Sequence, residues 1–103
     1  MSRTVRIASP GEIAPGQSRL IEEGGVAIAV FNANGTHYAI SNECPHRQGP
    51  LHEGYLEGLL VTCPWHGWQF ELPTGRCETV PGRDLRTYPI VEQQDGLYLT
   101  LPD

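Results

Sequence analysis

Cys44-Pro45-His46 and Cys63-Pro64-Trp65-His66 each combine one thiol and one imidazole, with a proline directly after the cysteine. Sixteen residues lie between His46 and Cys63, so two short loops placed side by side would bring two sulfurs and two nitrogens to one point. Thiolate and imidazole ligands at one point suit a metal ion or an iron–sulfur cluster. One Cys–His pair would be weak evidence, but two pairs of the same form strongly indicate a metal centre.

The order of the ligands bears on which kind of metal centre this is. Structural zinc sites with two Cys and two His usually keep each residue type together. Here each loop supplies one of each, which suits a two-iron cluster with both thiolates on one iron and both imidazoles on the other. A structural zinc or interaction module without redox activity stays open as an alternative. Colour distinguishes the two, because zinc leaves a protein colourless.

Length, charge and apolar content exclude several functions. The 103 residues suffice for one domain, and the net charge of −5 without any Lys argues against nucleic-acid binding. The longest apolar run, Val26 to Phe31, has six residues, far fewer than the roughly 20 of a membrane-spanning helix. The N-terminus lacks the apolar stretch of a signal peptide. We therefore expect a cytoplasmic protein, in which cysteines serve as ligands rather than disulfides.

Glycine and proline predict the fold class. Twelve Gly and nine Pro leave no stretch free of both that is longer than nine residues, whereas the average helix has about 11–12. Because both residues are poor in helix interiors, we expect an all-β chain with many turns. Val26 to Phe31 alternates large and small apolar residues, which predicts a strand covered on both faces.

Turn residues predict two hairpins. Asn32-Ala33-Asn34-Gly35 leads into a strand from Thr36 to Ser41, since Asn and Gly tolerate positive φ. Asp95-Gly96 separates a strand over Leu85 to Glu92 from another over Leu97 to Leu101. The three leucines of the last strand lie two residues apart and share one face.

The two ligand loops, written out in full, resemble those of a known family. Cys44-Pro45-His46-Arg47-Gln48-Gly49-Pro50-Leu51 and Cys63-Pro64-Trp65-His66-Gly67-Trp68-Gln69-Phe70 are similar to the ligand loops of Rieske iron–sulfur proteins. Thr74-Gly75 and Val80-Pro81-Gly82 resemble that family's turn and its proline loop over the cluster. The resemblance implies a single domain over residues 1–103: an antiparallel β sandwich or barrel base with an inserted cluster-binding subdomain over about residues 42–82. It also implies one [2Fe–2S] cluster with four ligands: Cys44, His46, Cys63 and His66.

The chain resembles the low-potential, soluble branch of this family. Gly49 and Trp65 stand where high-potential Rieske proteins of respiratory complexes carry an extra, disulfide-bonded Cys in each loop. Trp68 and Phe70 stand where that branch has hydroxyl groups from Ser and Tyr. We expect both tryptophans to pack over the cluster, with Trp65 also a candidate for a docking face. Cys77 is interpreted as a small buried hydrophobe rather than a ligand.

Electron transfer is the function that this resemblance implies. No Gly-rich dinucleotide loop and no mononuclear iron triad is visible in the sequence, and we expect no catalytic domain after Asp103. The chain is therefore identified as a Rieske-type ferredoxin, an electron carrier rather than an enzyme. Such a ferredoxin takes electrons from a flavin reductase and passes them to a Rieske oxygenase. An alternative is the small subunit of an assimilatory NAD(P)H nitrite reductase, which co-purification with a sirohaem protein would favour.

Overall fold

The computed structural model of the protein describes residues 3–44, 49–65 and 67–101. These residues form ten strands and one turn of 3-10 helix, and every strand pairing is antiparallel, which confirms the all-β fold class. No helix in this part of the chain is long and apolar enough to cross a membrane. The elements are β1 (Arg3–Ala8), β2 (Ser18–Glu23), β3 (Val26–Ala33), β4 (Thr36–Ser41), the 3-10 turn (Leu51–Glu53), β5 (Tyr55–Glu57), β6 (Leu60–Thr62), β7 (Gln69–Glu71), β8 (Thr87–Tyr88), β9 (Ile90–Gln93) and β10 (Gly96–Leu101).

The strands form three sheets with the orders β1-β10-β9, β2-β3-β4-β8 and β5-β6-β7. The strand predicted over Leu85 to Glu92 is interrupted, and its two halves, β8 and β9, belong to different sheets. Pro89 lies between them, where its missing N–H cannot continue a ladder. Its carbonyl oxygen accepts a hydrogen bond from the Thr100 N–H at 2.9 Å. This proline therefore marks the point where the chain passes from one sheet to the other.

Strand β3 is buried on both faces, as its sequence predicts. Ile28 and Val30 are fully buried on one side, while Ala29 and Phe31 are buried on the other. The two faces belong to separate apolar clusters. The base core contains Ala8, Ile13, Ile28, Val30, Ala39, Tyr88, Leu97, Leu99 and Leu101. The site core contains Ala29, Phe31, Ala33, Ile40, Cys44, Leu51, Val61, Cys63, Phe70, Leu72, Cys77 and Leu85.

Both predicted hairpins form, the first with a shorter turn than the sequence predicts and the second with its turn one residue earlier. Strand β3 continues to Ala33, so the turn consists only of Asn34 and Gly35, both at positive φ. In the last hairpin the turn is at residues 94–95, because Gly96 already belongs to β10 and pairs with Gln93. Because both Asn34 and Gly35 have positive φ, the first turn is of the type whose twist matches that of the paired strands. In the last hairpin, the pairing of the strands rather than the position of the glycine therefore decides where the turn lies.

The small sheet β5-β6-β7 follows β4 in the chain and precedes β8, inside the range predicted for a cluster-binding subdomain. Leu56, Val61 and Phe70 point inward from its three strands and pack in or against the site core. Tyr55 and Glu57 are exposed on its outer face. The inner face of this sheet thus contributes to the same core as Ala29 and Phe31 of β3. Strand β5 and the 3-10 turn were not predicted.

Two glycines allow a test of backbone crowding. Gly75 and Gly58 both have positive φ, but a Cβ on Gly75 would lie 2.2 Å from the Leu85 carbonyl oxygen, whereas a Cβ on Gly58 meets nothing within 4 Å. We expect Gly75→Ala to lower the unfolding free energy by at least about 1 kcal/mol more than Gly58→Ala, because only the former adds a clash to the strain. Denaturant unfolding of both variants measures the difference. Equal losses would contradict the crowding.

Candidate metal centre

Two of the four predicted ligands lie in the same apolar cluster. Cys44 follows β4 and Cys63 follows β6, and each side chain is only 2% exposed within the site core. All three cysteines of the chain are thiols rather than disulfides. His46 and His66 lie outside the described residues. The structure therefore shows where the two predicted cysteine ligands lie, and the assignment of all four ligands stays a prediction.

Both ligand loops are closed by the same backbone hydrogen bond. The Cys44 N–H donates to the carbonyl oxygen of Gly49, five positions on, at 3.1 Å. The Cys63 N–H donates to the carbonyl oxygen of Trp68, again five positions on, at 2.8 Å. In the second loop the Gly67 N–H also donates to the Cys63 carbonyl oxygen at 3.1 Å. The duplicated sequence pattern thus corresponds to a duplicated loop closure.

Strand pairing sets where the second loop begins and ends. Thr62, the last residue of β6, pairs with Gln69, the first residue of β7, and the two side chains share a 3.2 Å hydrogen bond. The Gln69 N–H also donates to the Thr79 hydroxyl at 2.9 Å. Cys63 is therefore the first residue beyond a paired strand end. That placement anchors the thiol to a sheet even though it lies on a loop.

The two loops meet at Gly49. A Cβ placed on Gly49 would lie 2.8 Å from the sulfur of Cys63, so the glycine backbone is packed closely against this thiol. The carbonyl oxygen of the same glycine accepts the Cys44 N–H. One residue therefore contacts both cysteines. Two buried thiols in one core, each with a histidine two or three positions later, fit the donor set of an iron–sulfur cluster with mixed ligands.

Asn42 and His52 support the first loop, a role that sequence reasoning missed. The Asn42 side-chain oxygen accepts the His52 backbone N–H at 2.7 Å and lies 3.0 Å from the His52 Nδ1. The Asn42 N–H donates to Ala27, and its carbonyl oxygen accepts the Leu51 N–H. Asn42 is 7% exposed. It therefore ties the entry of the loop to β3 and to the 3-10 turn. A polar residue two positions before Cys44 was the only sequence signal.

Cys77 lies in the site core but has bonds of its own. Its sulfur accepts the Val80 N–H at 3.3 Å, and its N–H donates to the Asp84 carboxylate at 3.0 Å. The side chain is 4% exposed. These contacts hold the loop from Cys77 to Asp84 together. They agree with the interpretation of Cys77 as a buried structural residue.

The two tryptophans differ in exposure. Trp68 is partly buried and packs against the site core, whereas Trp65 is 56% exposed at the tip of the second loop. The ring of Trp65 nevertheless faces Gly49, since a Cβ there would lie 3.3 Å from its Cγ. Trp65 therefore has one side against the first loop and one side on the surface.

Comparison with known sequences identifies relatives that agree with this site. The Rieske [2Fe-2S] domain family matches residues 3–89. The chain is 36% identical over 94 residues to the 3-phenylpropionate/cinnamic acid dioxygenase ferredoxin subunit of Shigella boydii serotype 4 (strain Sb227), covering 89% of this chain and 88% of that one. It is 35% identical over 101 residues to the 4beta-methylsterol monooxygenase of Methylococcus capsulatus (strain ATCC 33009 / NCIMB 11132 / Bath). That match covers 86% of this chain but only 27% of the monooxygenase.

A solved structure shows the same fold. One chain in a complex of reduced oxygenase and oxidised ferredoxin in carbazole 1,9a-dioxygenase superposes with a TM-score of 0.86 and 26% identity. The match covers 93% of this chain and 91% of that chain. The relative matched over most of its own length is a ferredoxin subunit, a carrier of electrons rather than a catalytic enzyme.

Two buried asparagines allow the support of the first loop to be tested. Asn42→Ala leaves the His52 N–H without its acceptor, which we expect to lower the unfolding free energy by about 1–3 kcal/mol. Asn32→Ala is the matched control, because Asn32 is also buried and its side chain bonds Ile13 and Gly35 instead. Both variants should be less stable. Only Asn42→Ala should lose iron faster to a chelator, and equal iron loss from the two would contradict the proposed support.

Proposed function

Because the chain belongs to the Rieske [2Fe–2S] domain family, we propose that it is a one-electron carrier that supplies a Rieske oxygenase. One observation carries the proposal: Cys44 and Cys63 are buried in one core, and Gly49 both accepts the Cys44 N–H and packs against the Cys63 sulfur. The protein is an electron-transfer component and not itself the catalyst. Its donor in this proposal is a flavin-dependent reductase, and its place of work is the cytoplasm.

The cofactor in this proposal is one [2Fe–2S] cluster per chain. Cys44 and Cys63 hold one iron, and His46 and His66 hold the other. When bound, the cluster supplies a reversible one-electron couple, and neutral imidazoles in place of two thiolates make it easier to reduce. The residues are named as a set because the two loops repeat the same closure and the same ligand types.

The described residues support this role by excluding water from the sulfur side of the site. Cys44 and Cys63 are surrounded by apolar side chains of the site core, including Phe70 and Val61, which are fully buried. A low-dielectric surrounding strengthens electrostatic interactions with the sulfurs. The backbone bonds that close each loop also hold the sulfurs in place. These bonds restrain the backbone from which each sulfur extends.

The choice of a Rieske oxygenase as acceptor rests on the relatives. The Shigella boydii protein is the ferredoxin subunit of a dioxygenase, and the carbazole 1,9a-dioxygenase structure is a complex of an oxygenase with a ferredoxin. Both matches extend over most of this chain and of the relative. These two findings favour an oxygenase over a sirohaem nitrite reductase as the acceptor.

Metal content tests the cofactor. Anaerobically purified protein should be red-brown and contain about two irons and two acid-labile sulfides per chain. Cys44→Ser should abolish the visible spectrum, because it removes a thiolate ligand. Cys77→Ser is the matched control, since it changes another buried cysteine of the same core and should keep the cluster. Stoichiometric zinc without iron, or loss of the cluster in Cys77→Ser alone, would contradict the assignment.

Electron delivery tests the acceptor. The reduced protein is mixed anaerobically with the oxygenase component of a 3-phenylpropionate dioxygenase, and its re-oxidation is followed by stopped-flow absorbance. We expect re-oxidation in proportion to the oxygenase present and none of it with the Cys44→Ser variant. A parallel mixture with a sirohaem nitrite reductase should react far more slowly. Faster re-oxidation by the sirohaem protein would overturn the choice of an oxygenase.

A further inference from the structure

Gly49 is a glycine because of space and not because of backbone conformation. Its φ lies outside the left-handed region, unlike that of ten other glycines in the described chain. A Cβ at this position would lie 2.8 Å from the Cys63 sulfur and 3.3 and 3.4 Å from Trp65 Cγ and Cδ2. Contacts under 3.0 Å require a neighbour to move. The Cys63 sulfur and the Trp65 ring on the other loop therefore fill the space that a side chain at position 49 would need.

Trp65 occupies the space that Gly49 leaves. Its ring stands next to the glycine on one side and is 56% exposed overall, while Cys63, two positions earlier, is 2% exposed. An exposed tryptophan without a structural role is uncommon because its apolar area favours burial. Here one face of the indole covers the junction of the two loops. The other face is the one that water reaches.

We propose that Gly49 and Trp65 form a loop clasp, a size-matched contact that joins the two ligand loops and positions and covers the Cys63 sulfur. Gly49 already binds the Cys44 N–H through its carbonyl oxygen, so the clasp connects both cysteines through one residue. All three cysteines are thiols, so no disulfide joins these loops. The clasp rests on the proposed function, because it assigns Trp65 a positioning role toward a cluster ligand.

The contact also makes the residue sizes at positions 49 and 65 depend on each other. A methyl group on Gly49 has to displace the Cys63 sulfur or the Trp65 ring. Removing the ring opens space beside Gly49 into which the methyl can shift away from the sulfur. The effects of the two substitutions should therefore be non-additive, as is usual for residues in direct contact.

Iron release from the intact, cluster-loaded protein tests the clasp. Oxidised wild type, Trp65→Ala, Trp65→Phe and Tyr55→Ala are mixed with excess chelator, and the loss of visible absorbance is timed. We expect Trp65→Ala to release iron about tenfold faster, which corresponds to about 1.4 kcal/mol of protection against local opening. Trp65→Phe should be close to wild type, because a smaller ring still covers the junction. Tyr55→Ala is the matched control, an aromatic side chain of the same sheet region that is 72% exposed.

The same series contains the results that would overturn the proposal. The proposal is contradicted if Trp65→Ala releases iron at the wild-type rate, or if Tyr55→Ala releases iron as fast as Trp65→Ala. The proposal also fails if Trp65→Ala lowers the melting temperature enough to account for its faster iron release and if Trp65→Phe shows the same loss. That result would mean that the substitution destabilises the whole fold rather than the contact between the loops. Among the single variants, Gly49→Ala should release iron fastest. The double variant with Trp65→Ala should release iron more slowly than the sum of the two single effects predicts. A wild-type protein without iron would refute the proposed function, whereas iron-loaded variants that behave alike would refute only the clasp.

Discussion

Two thiols that are 19 positions apart in the chain are buried in one apolar core, and much of the local structure holds them there. Each thiol stands at the start of a loop that a single backbone hydrogen bond closes five residues later. The first loop starts from β4 of the large sheet and the second from β6 of the small sheet. Joining the two sheets around one core therefore fixes the distance between the loops. Backbone bonds fix each loop internally.

Strand β3 makes that core possible because both of its faces are buried. One face completes the base core with the leucines of β10, and the other supplies Ala29 and Phe31 to the site core. The alternation of small and large residues decides how close each layer can approach. Cys44 and Cys63 are buried in the second of these cores, beside the residues that β3 supplies.

Turn residues and apolar alternation were enough to predict the all-β fold, β3 and both hairpins. The interruption at Pro89 was not predicted, because alternation continues across the proline while its missing N–H changes the sheet that the chain pairs with. The turn of the last hairpin was predicted one residue too late, because Gly96 belongs to the strand that follows it. At the site, the Cys–His spacing predicted the two ligand loops, and the assignment of the four ligands stays a prediction. The support from Asn42 could not be predicted, because hydrogen bonds between distant residues leave no local pattern in one sequence.

A carrier that exchanges electrons gains from a site that hardly moves when its charge changes, because preorganised groups need no rearrangement at the moment of transfer. The described part of this site meets that condition mostly with backbone. Carbonyl oxygens of Gly49 and Trp68 hold the cysteine N–H groups, and the buried Asn42 side chain holds the loop entry. Long flexible side chains lose more rotamer freedom when they are ordered than such groups do. The glycine, the short loops and the buried amide therefore serve one purpose: they fix the sulfur positions with groups that have little freedom to lose.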